Sequence, residues 1–168
     1  MTVSPVAWLA WSSFEYCEGM SDELDTRVKL AIYSAIAETG AVPTSTDISL
    51  NIDLGEDNVR ASFARLHGKR LLVPEPGDLS RIRMAPPFSG VPTAFPVDAQ
   101  GKRYYANCVW DAFGIAAALR ADAVSAAADG HTGEPLTLEV KNGQPVPQPY
   151  VAHFAVPAAH WWDDIIFT

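Results

Sequence analysis

The segment Asn107-Cys108-Val109-Trp110-Asp111 holds a thiol and a carboxyl group at a spacing that suits chemistry. The surrounding pattern predicts a helix that begins near Asn107, and a step of three residues puts Cys108 and Asp111 on one face of that helix. Two such groups can exchange a proton directly or through one bound atom. The positive end of a helix favours the thiolate, which attacks or binds a soft metal, whereas burial tends to keep a carboxyl protonated. The pair is therefore predicted to combine a soft-metal ligand with a proton donor.

An ordinary structural explanation is also open for these two residues. Free cysteine is among the most buried residue types, and aspartate near a helix start is a common cap. The spacing of Cys108 and Asp111 does not by itself decide between the two explanations.

A second group of potential metal ligands lies near the end of the chain, namely His153, His160, Asp163 and Asp164. His160 and Asp164 would lie one helical turn apart. The favoured explanation of this spacing is nevertheless a polar helix face beside two tryptophans.

Composition excludes several classes of protein. The 168 residues are 48% hydrophobic, which excludes a wholly disordered chain, and the length suits one domain or two small ones. No apolar run reaches the roughly 18 residues of a membrane helix, and the start lacks a signal peptide's basic flank, so a cytoplasmic location is expected. Twelve Lys and Arg against 20 Asp and Glu give a net charge of −8, which argues against broad nucleic-acid binding. The two cysteines, Cys17 and Cys108, are too few for a disulfide framework.

The N-terminal half predicts three helices and a small hairpin. Apolar residues recur at three- and four-residue steps over 22–39, and Gly40 then ends the helix. Thr44 followed by Asp47 predicts a second helix over 44–50, and a third follows over 55–68. Short strands are expected at 71–73 and 82–84. The fold class is therefore α+β, with residues 1–85 forming a winged helix-turn-helix-like N-terminal domain.

That N-terminal domain has two possible roles. A winged helix is typical of a DNA reader, with the third helix in the major groove. The negative net charge favours a structural or docking module instead. A basic group formed by Arg60, Arg65, Lys69 and Arg70 keeps the DNA-binding alternative open.

Residues 86–168 are predicted to form a small mixed α/β core domain. Six prolines between positions 74 and 96 suggest an extended crossing, with the domain boundary near residue 85. A hairpin over 93–105 should lead into a buried helix over 108–120. An alanine-rich helix over 122–129, strands at 136–140 and 151–156, and a final helical start at Pro157 complete the prediction.

The stretch 103–113, Arg-Tyr-Tyr-Ala-Asn-Cys-Val-Trp-Asp-Ala-Phe, resembles the active-site segment of the organomercurial (alkylmercury) lyase family. In that family an aromatic-rich strand leads into a Cys-x-x-Asp helix start. The segments 131–140 and 151–155 are further points of similarity. The chain is thus MerB-like over roughly residues 20–168, and the resemblance implies the family's fold, a helical N-terminal module fused to a small mixed domain.

The resemblance implies protonolysis of a carbon–mercury bond. Two cysteine thiolates capture the mercury in that family, and the aspartate carries a proton to the departing carbon. Carried over, Cys108 is the first thiolate and Asp111 the proton carrier, both in contact with the metal, while Tyr105 and Trp110 wall the substrate pocket. The expected substrate is a small organometallic molecule, with mercury(II) as the bound product and no organic cofactor. Cytosolic thiols are expected to remove the mercury.

The sequence departs from the family at the second cysteine. In the family this residue lies in a segment that the chain would reach near or just past 161–167, where no cysteine occurs. Either this is a shortened form whose missing tail holds the thiol, which the hydrophobic end at Thr168 favours, or the protein is a relative without two-thiol chemistry. Cys17, expected in an N-terminal helix, could substitute only if that segment covers the site.

Two further functions fit the same residues. One is a relative that applies Cys108 and Asp111, with or without a metal, to an organic substrate. The other is a metal-sensing regulator whose winged-helix-like domain binds DNA.

Overall fold

The computed structural model describes the backbone from Pro5 to Phe167 and the side chains from Ser21 to Phe167. The first half contains three helices, α1 (Pro5–Thr39), α2 (Ser45–Ile52) and α3 (Glu56–Gly68). The helix predicted over 22–39 is thus the second half of the longer α1, and it buries Val28, Ile32 and Ile36. The predicted stop is confirmed, because Gly40 takes a φ of +79° and donates its N–H to the Ile36 carbonyl.

A capping box begins α2, as the sequence predicts. The Asp47 amide donates to the Thr44 hydroxyl, and the Asp47 carboxylate in return accepts from the Thr44 backbone N–H at 2.8 Å. Helix α3 buries Val59, Phe63 and Leu66 against the same core.

A small antiparallel sheet follows, made of β1 (Val73–Glu75), β2 (Asp78–Ala85) and β3 (Phe88–Ser89) in that spatial order. The predicted hairpin is confirmed, although the first strand begins two residues later than expected and the second is longer than the predicted 82–84. A cis peptide bond between Pro86 and Pro87 joins β2 to β3. Phe88 also forms an isolated bridge with Ala106, which connects this sheet to the second half of the chain.

The second half is built on an antiparallel five-stranded sheet of order β5-β4-β6-β7-β8. Helix α4 (Val109–Leu119) follows β5 and packs on β4 and β6. The predicted hairpin, helix α4, strand β7 and the Asn142-Gly143 turn are all confirmed. The strands are β4 (Pro96–Ala99), β5 (Lys102–Tyr105), β6 (Ala123–Ala128), β7 (Pro135–Lys141) and β8 (Gln144–Pro145).

The helix predicted over 122–129 is wrong, because Ala123–Ala128 form the central strand β6. This segment pairs along its length with β7 and also with β4. Alanine favours helix only weakly, and two flanking strands outweigh that preference. The burial of Ala123 and Ser125 alternates with the exposure of their neighbours, as in a strand.

The strand predicted over 151–156 is also wrong, because these residues form no regular element. Val151 is 91% exposed, and Pro147 and Pro149 just before it have no N–H to donate to a neighbouring strand. The expected helical start at Pro157 is a short 3₁₀ helix (Ala158–Asp163). Its Trp162 lies 5.9 Å from the guanidinium of Arg70 at the end of α3.

One hydrophobic core joins both halves of the chain. It includes Ile32 and Phe63 from the helices together with Tyr104 and Ile115 from the second half. The domain boundary near residue 85 stays a prediction. In the part of the chain that the structure describes, no helix is long and apolar enough to cross a membrane.

Candidate functional site

The first turn of α4 carries the predicted chemical pair. Cys108 is the N-cap, with extended backbone at φ −152° and ψ −179°, and Asp111 lies in the first turn. Ala106, two residues earlier, donates its N–H to the Phe95 carbonyl at 3.0 Å and is fully buried. The helix start is therefore anchored to the core immediately before the cysteine.

Asn107 links this turn to the segment between β2 and β3. Its Nδ2 donates to Asp111 Oδ2 at 2.9 Å and, over a longer distance of 3.4 Å, to the Pro87 carbonyl. Its Oδ1 is buried and has no hydrogen-bond partner among the described residues. Sequence reasoning named Asn107 only as the start of the helix, so this contact with Asp111 was missed.

The Cys108 thiol is half-buried, and burial is the largest influence on its pKa, which is raised above the ordinary value. The backbone N–H groups of Asp111 and Trp110 lower that pKa, whereas the charge of Asp111 raises it. The side chain makes no capping hydrogen bond. Burial therefore outweighs the influence of the helix N-terminus on the pKa of this thiol, and the role of Cys108 as a thiolate ligand stays a prediction.

The Asp111 carboxyl group is partly buried at the same helix start. Burial raises its pKa, and the hydrogen bonds from Asn107 oppose this effect without cancelling it. A carboxyl group of this kind takes up a proton more readily than an exposed aspartate does.

Tyr33 brings α1 to the site, which sequence reasoning did not foresee. Its hydroxyl donates to the Pro86 carbonyl at 2.7 Å, and its ring lies 6.2 Å from that of Phe88. Its pKa is raised by burial and further by the charge of Asp111. The local pattern around Tyr33 held no signal for this, because its partners lie more than 50 residues away.

The residues predicted to wall the pocket differ in burial. Tyr105 is half-buried, whereas Trp110 is 65% exposed. The sequence suggested that α4 would be buried on all sides, but the face that carries Trp110 is exposed. Their role at the pocket stays a prediction. A surface cleft of about 630 Å³ lies elsewhere, between the β4–β5 turn and the start of β6, and does not include Cys108 or Asp111.

The histidine and aspartate group near the end of the chain does not assemble a metal centre. His160 Nδ1 lies 2.9 Å from Asp163 Oδ2, and both side chains are exposed. Across residues 21–167, no three His, Cys, Asp or Glu side chains come together as metal ligands. Cys17 lies in α1 but outside the described side chains.

Comparison with known proteins agrees with the resemblance at the Cys108 segment. Residues 88–168 match the family model of alkylmercury lyase, MerB. The crystal structure of the mercury-bound form of MerB2 is similar, with a TM-score of 0.55 and 21% sequence identity, over 75% of this chain and 66% of that chain. No curated protein matches the chain by sequence. At this identity the structural similarity shows the fold, and the chain corresponds to about two-thirds of that protein.

Proposed function

Because the chain is MerB-like, with residues 88–168 matching the alkylmercury lyase family, we propose that it is an organomercurial-lyase-like enzyme. The observation that carries the proposal is the placement of Cys108 and Asp111 at the start of α4, inside the matched segment. Both groups are partly buried, and Asp111 is fixed by Asn107. The substrate is then a small organometallic molecule whose metal is a soft acid matched to a thiolate.

The reaction requires a thiol that loses its proton and an acid that supplies one. When the mercury of R–Hg–X binds Cys108, the leaving group X⁻ departs and the thiol proton passes to Asp111. The raised pKa of Asp111 suits it to hold that proton. Transfer of the proton to carbon breaks the carbon–mercury bond, forms R–H and restores the carboxylate. No electrons are gained or lost.

A second thiolate completes the coordination of the mercury(II) product. In this proposal a small cytosolic thiol binds the metal as a thiolate opposite Cys108, and a second such thiol then displaces Cys108 and returns a proton to it. Electron donation by two thiolates weakens the bond to carbon, so the added thiol contributes before the proton transfer as well as after it. A cytoplasmic location and the absence of an organic cofactor are parts of the same proposal.

The test is release of hydrocarbon from a simple arylmercury salt, in the presence of excess monothiol and purified protein. The parent chain is expected to release hydrocarbon, and Cys17→Ser, which removes the other thiol of the chain, is expected to match it. Cys108→Ser should lose both mercury binding and release. Asp111→Asn should keep mercury binding but lose roughly 10²–10⁴-fold in release, the usual contribution of a positioned acid.

Two outcomes would contradict the proposal. Release that survives Cys108→Ser would show that the site is wrong. Mercury binding by the parent chain without any release would favour the second candidate, a relative of the lyase fold that applies Cys108 and Asp111 to another reaction.

For the N-terminal half, we propose a winged-helix-like module with a structural or docking role. The charges of its basic group are largely occupied within the protein: Arg60 pairs with Glu56 at 2.6 Å and Arg65 with Asp25 at 2.7 Å. Lys69 pairs with both Asp22 and Asp25. Cations paired with carboxylates contribute little to phosphate binding, which argues against a DNA-binding regulator.

A further inference from the structure

The Asn107 side chain lies between the proposed proton carrier and the Pro86-Pro87 segment. Its Nδ2 donates to Asp111 Oδ2 at 2.9 Å, a distance typical of a hydrogen bond to a carboxylate, and also faces the Pro87 carbonyl at 3.4 Å. Asn107 precedes the helix, whereas Asp111 lies within its first turn. The hydrogen bond therefore restrains the carboxyl group from outside the helix.

The orientation of this amide is fixed by what surrounds it. Both atoms near Nδ2 are acceptors, so rotating the amide by 180° would place Oδ1 against two oxygens. The observed orientation leaves Oδ1 buried without a partner among the described residues. The two acceptors beside Nδ2 therefore select the amide orientation that donates to Asp111.

We propose that Asn107 is a positioning residue that holds the Asp111 carboxyl group in the orientation from which the proton reaches carbon. This inference rests on the proposed function, because it assigns Asn107 a part in the same proton transfer. Asn107 itself does not touch the reacting atoms. It acts by keeping Asp111 in one rotamer, since proton transfer requires that the acid lie within hydrogen-bond reach of its target.

The test compares four variants in the arylmercury assay with excess monothiol. Asn107→Leu has nearly the same size but no amide, and Asn107→Asp has the same shape but sets a carboxyl group against Asp111. Asn107→Gln keeps the donor. Asn58→Leu makes the leucine substitution on the exposed face of α3 and serves as the matched control.

Loss of positioning should appear in kcat and not in KM. We expect kcat to fall about 10- to 100-fold in Asn107→Leu and Asn107→Asp, with KM within about twofold of the parent, because small misplacements of catalytic groups cost about this much. Asn107→Gln should recover part of kcat, and Asn58→Leu should match the parent. Equal kcat in Asn107→Leu and the parent would overturn the inference, as would a loss that appears in KM instead.

A second measurement does not depend on activity. NMR coupling constants of the Asp111 Cβ protons report the χ1 rotamer of this side chain. We expect one rotamer in the parent and averaging between rotamers in Asn107→Leu. If Asn107→Leu fails to fold, the same averaging is expected in Asn107→Asp. A single unchanged Asp111 rotamer in the folded variant would overturn the inference even if turnover falls. If the parent releases no hydrocarbon, the proposed function fails, and the rotamer measurement alone then decides whether Asn107 positions Asp111.

Discussion

Replacing Asp25 by alanine is expected to destabilise the protein far more than replacing Asp22, although both carboxylates pair with Lys69. The Asp25 side chain is 3% exposed and links α1 to α3. It accepts hydrogen bonds from Ser62 Oγ at 2.8 Å, from Arg65 Nη2 at 2.7 Å and from Lys69 Nζ at 3.1 Å. The Asp22 side chain, in contrast, is 69% exposed.

The size of the stability loss in Asp25→Ala depends on which hydrogen-bond partners of Asp25 can be hydrated once the carboxylate is gone. Without Asp25, the side chains of Arg65 and Lys69, which are 36% and 44% exposed, can be hydrated again. Ser62 is fully buried and would lose its acceptor. Removing a buried carboxylate of this kind should lower the free energy of unfolding by about 2–4 kcal/mol. An exposed pair such as Asp22 with Lys69 contributes below about 1 kcal/mol.

Urea unfolding followed by far-ultraviolet circular dichroism measures both losses. Asp22→Ala is the matched control, because it removes the same type of side chain from the same helix and also takes one of its two carboxylate partners from Lys69. Equal losses for the two variants, or a loss below about 1 kcal/mol for Asp25→Ala, would refute the reasoning that burial decides the strength of these pairs.

The stability difference between the parent and Asp25→Ala should depend on pH. Burial raises the pKa of Asp25, but the hydrogen bonds from Arg65, Ser62 and Lys69 outweigh it and hold the pKa below its ordinary value of 3.8. A depressed pKa stabilises the folded state above the unfolded-state pKa, and this contribution disappears as pH falls through the folded-state pKa. The stability difference between the parent and Asp25→Ala should therefore be largest above about pH 4 and shrink in more acidic solution.

Two further predictions concern the Cys108 thiol and the close approach of Gly90 to the backbone of β2. Asp111→Asn removes a charge that raises the pKa of Cys108, so alkylation of Cys108 by iodoacetamide should reach its half-maximal rate at lower pH than in the parent; an unchanged or higher midpoint would contradict the coupling. Gly90→Ala should cost more than about 2 kcal/mol in urea unfolding, because the new Cβ would lie 2.0 Å from the Ile82 carbonyl oxygen. Gly130→Ala, whose Cβ meets nothing within 4 Å, should stay within about 0.5 kcal/mol.

The parts of the fold that could be predicted from sequence are those set by neighbours in the chain. The capping box of Thr44 with Asp47, the stop at Gly40 and the turn at Asn142-Gly143 each require only a few adjacent residues. Their physical causes are local hydrogen bonds and backbone conformations with positive φ. Such signals remain valid whatever the rest of the chain does.

The two errors have a common cause, which is that strand formation depends on partners distant in sequence. The local sequence of β6 favours a helix because it is rich in alanine, yet β6 pairs with β4 on one side and with β7 on the other. The local sequence of 151–156 favours a strand, but this segment pairs with no described strand and forms no regular element. Pairing, which sequence patterns reveal poorly, decided both cases.

In the candidate site, too, local features could be predicted from the sequence and features that depend on distant residues could not. Cys108 and Asp111 could be predicted because their spacing is local, and the resemblance of the surrounding segment named them. The raised pKa of Cys108 could not be predicted, because it depends on burial that the helix start alone does not specify. Tyr33 could not be predicted either, because α1 reaches the site only in the folded chain.

The position of Tyr33 gives the N-terminal half a part in shaping the site. Tyr33 holds the Pro86 carbonyl, and the adjacent Pro87 lies so close to α4 that a Cβ on Gly114 would come within 3.0 Å of its ring. Pro87 also accepts the longer hydrogen bond from Asn107, which binds Asp111. A displacement of α1 would therefore be transmitted to Asp111 through two packed prolines. The helices of the N-terminal half are thus connected by contacts to the Asp111 carboxyl group, through Tyr33, the two prolines and Asn107.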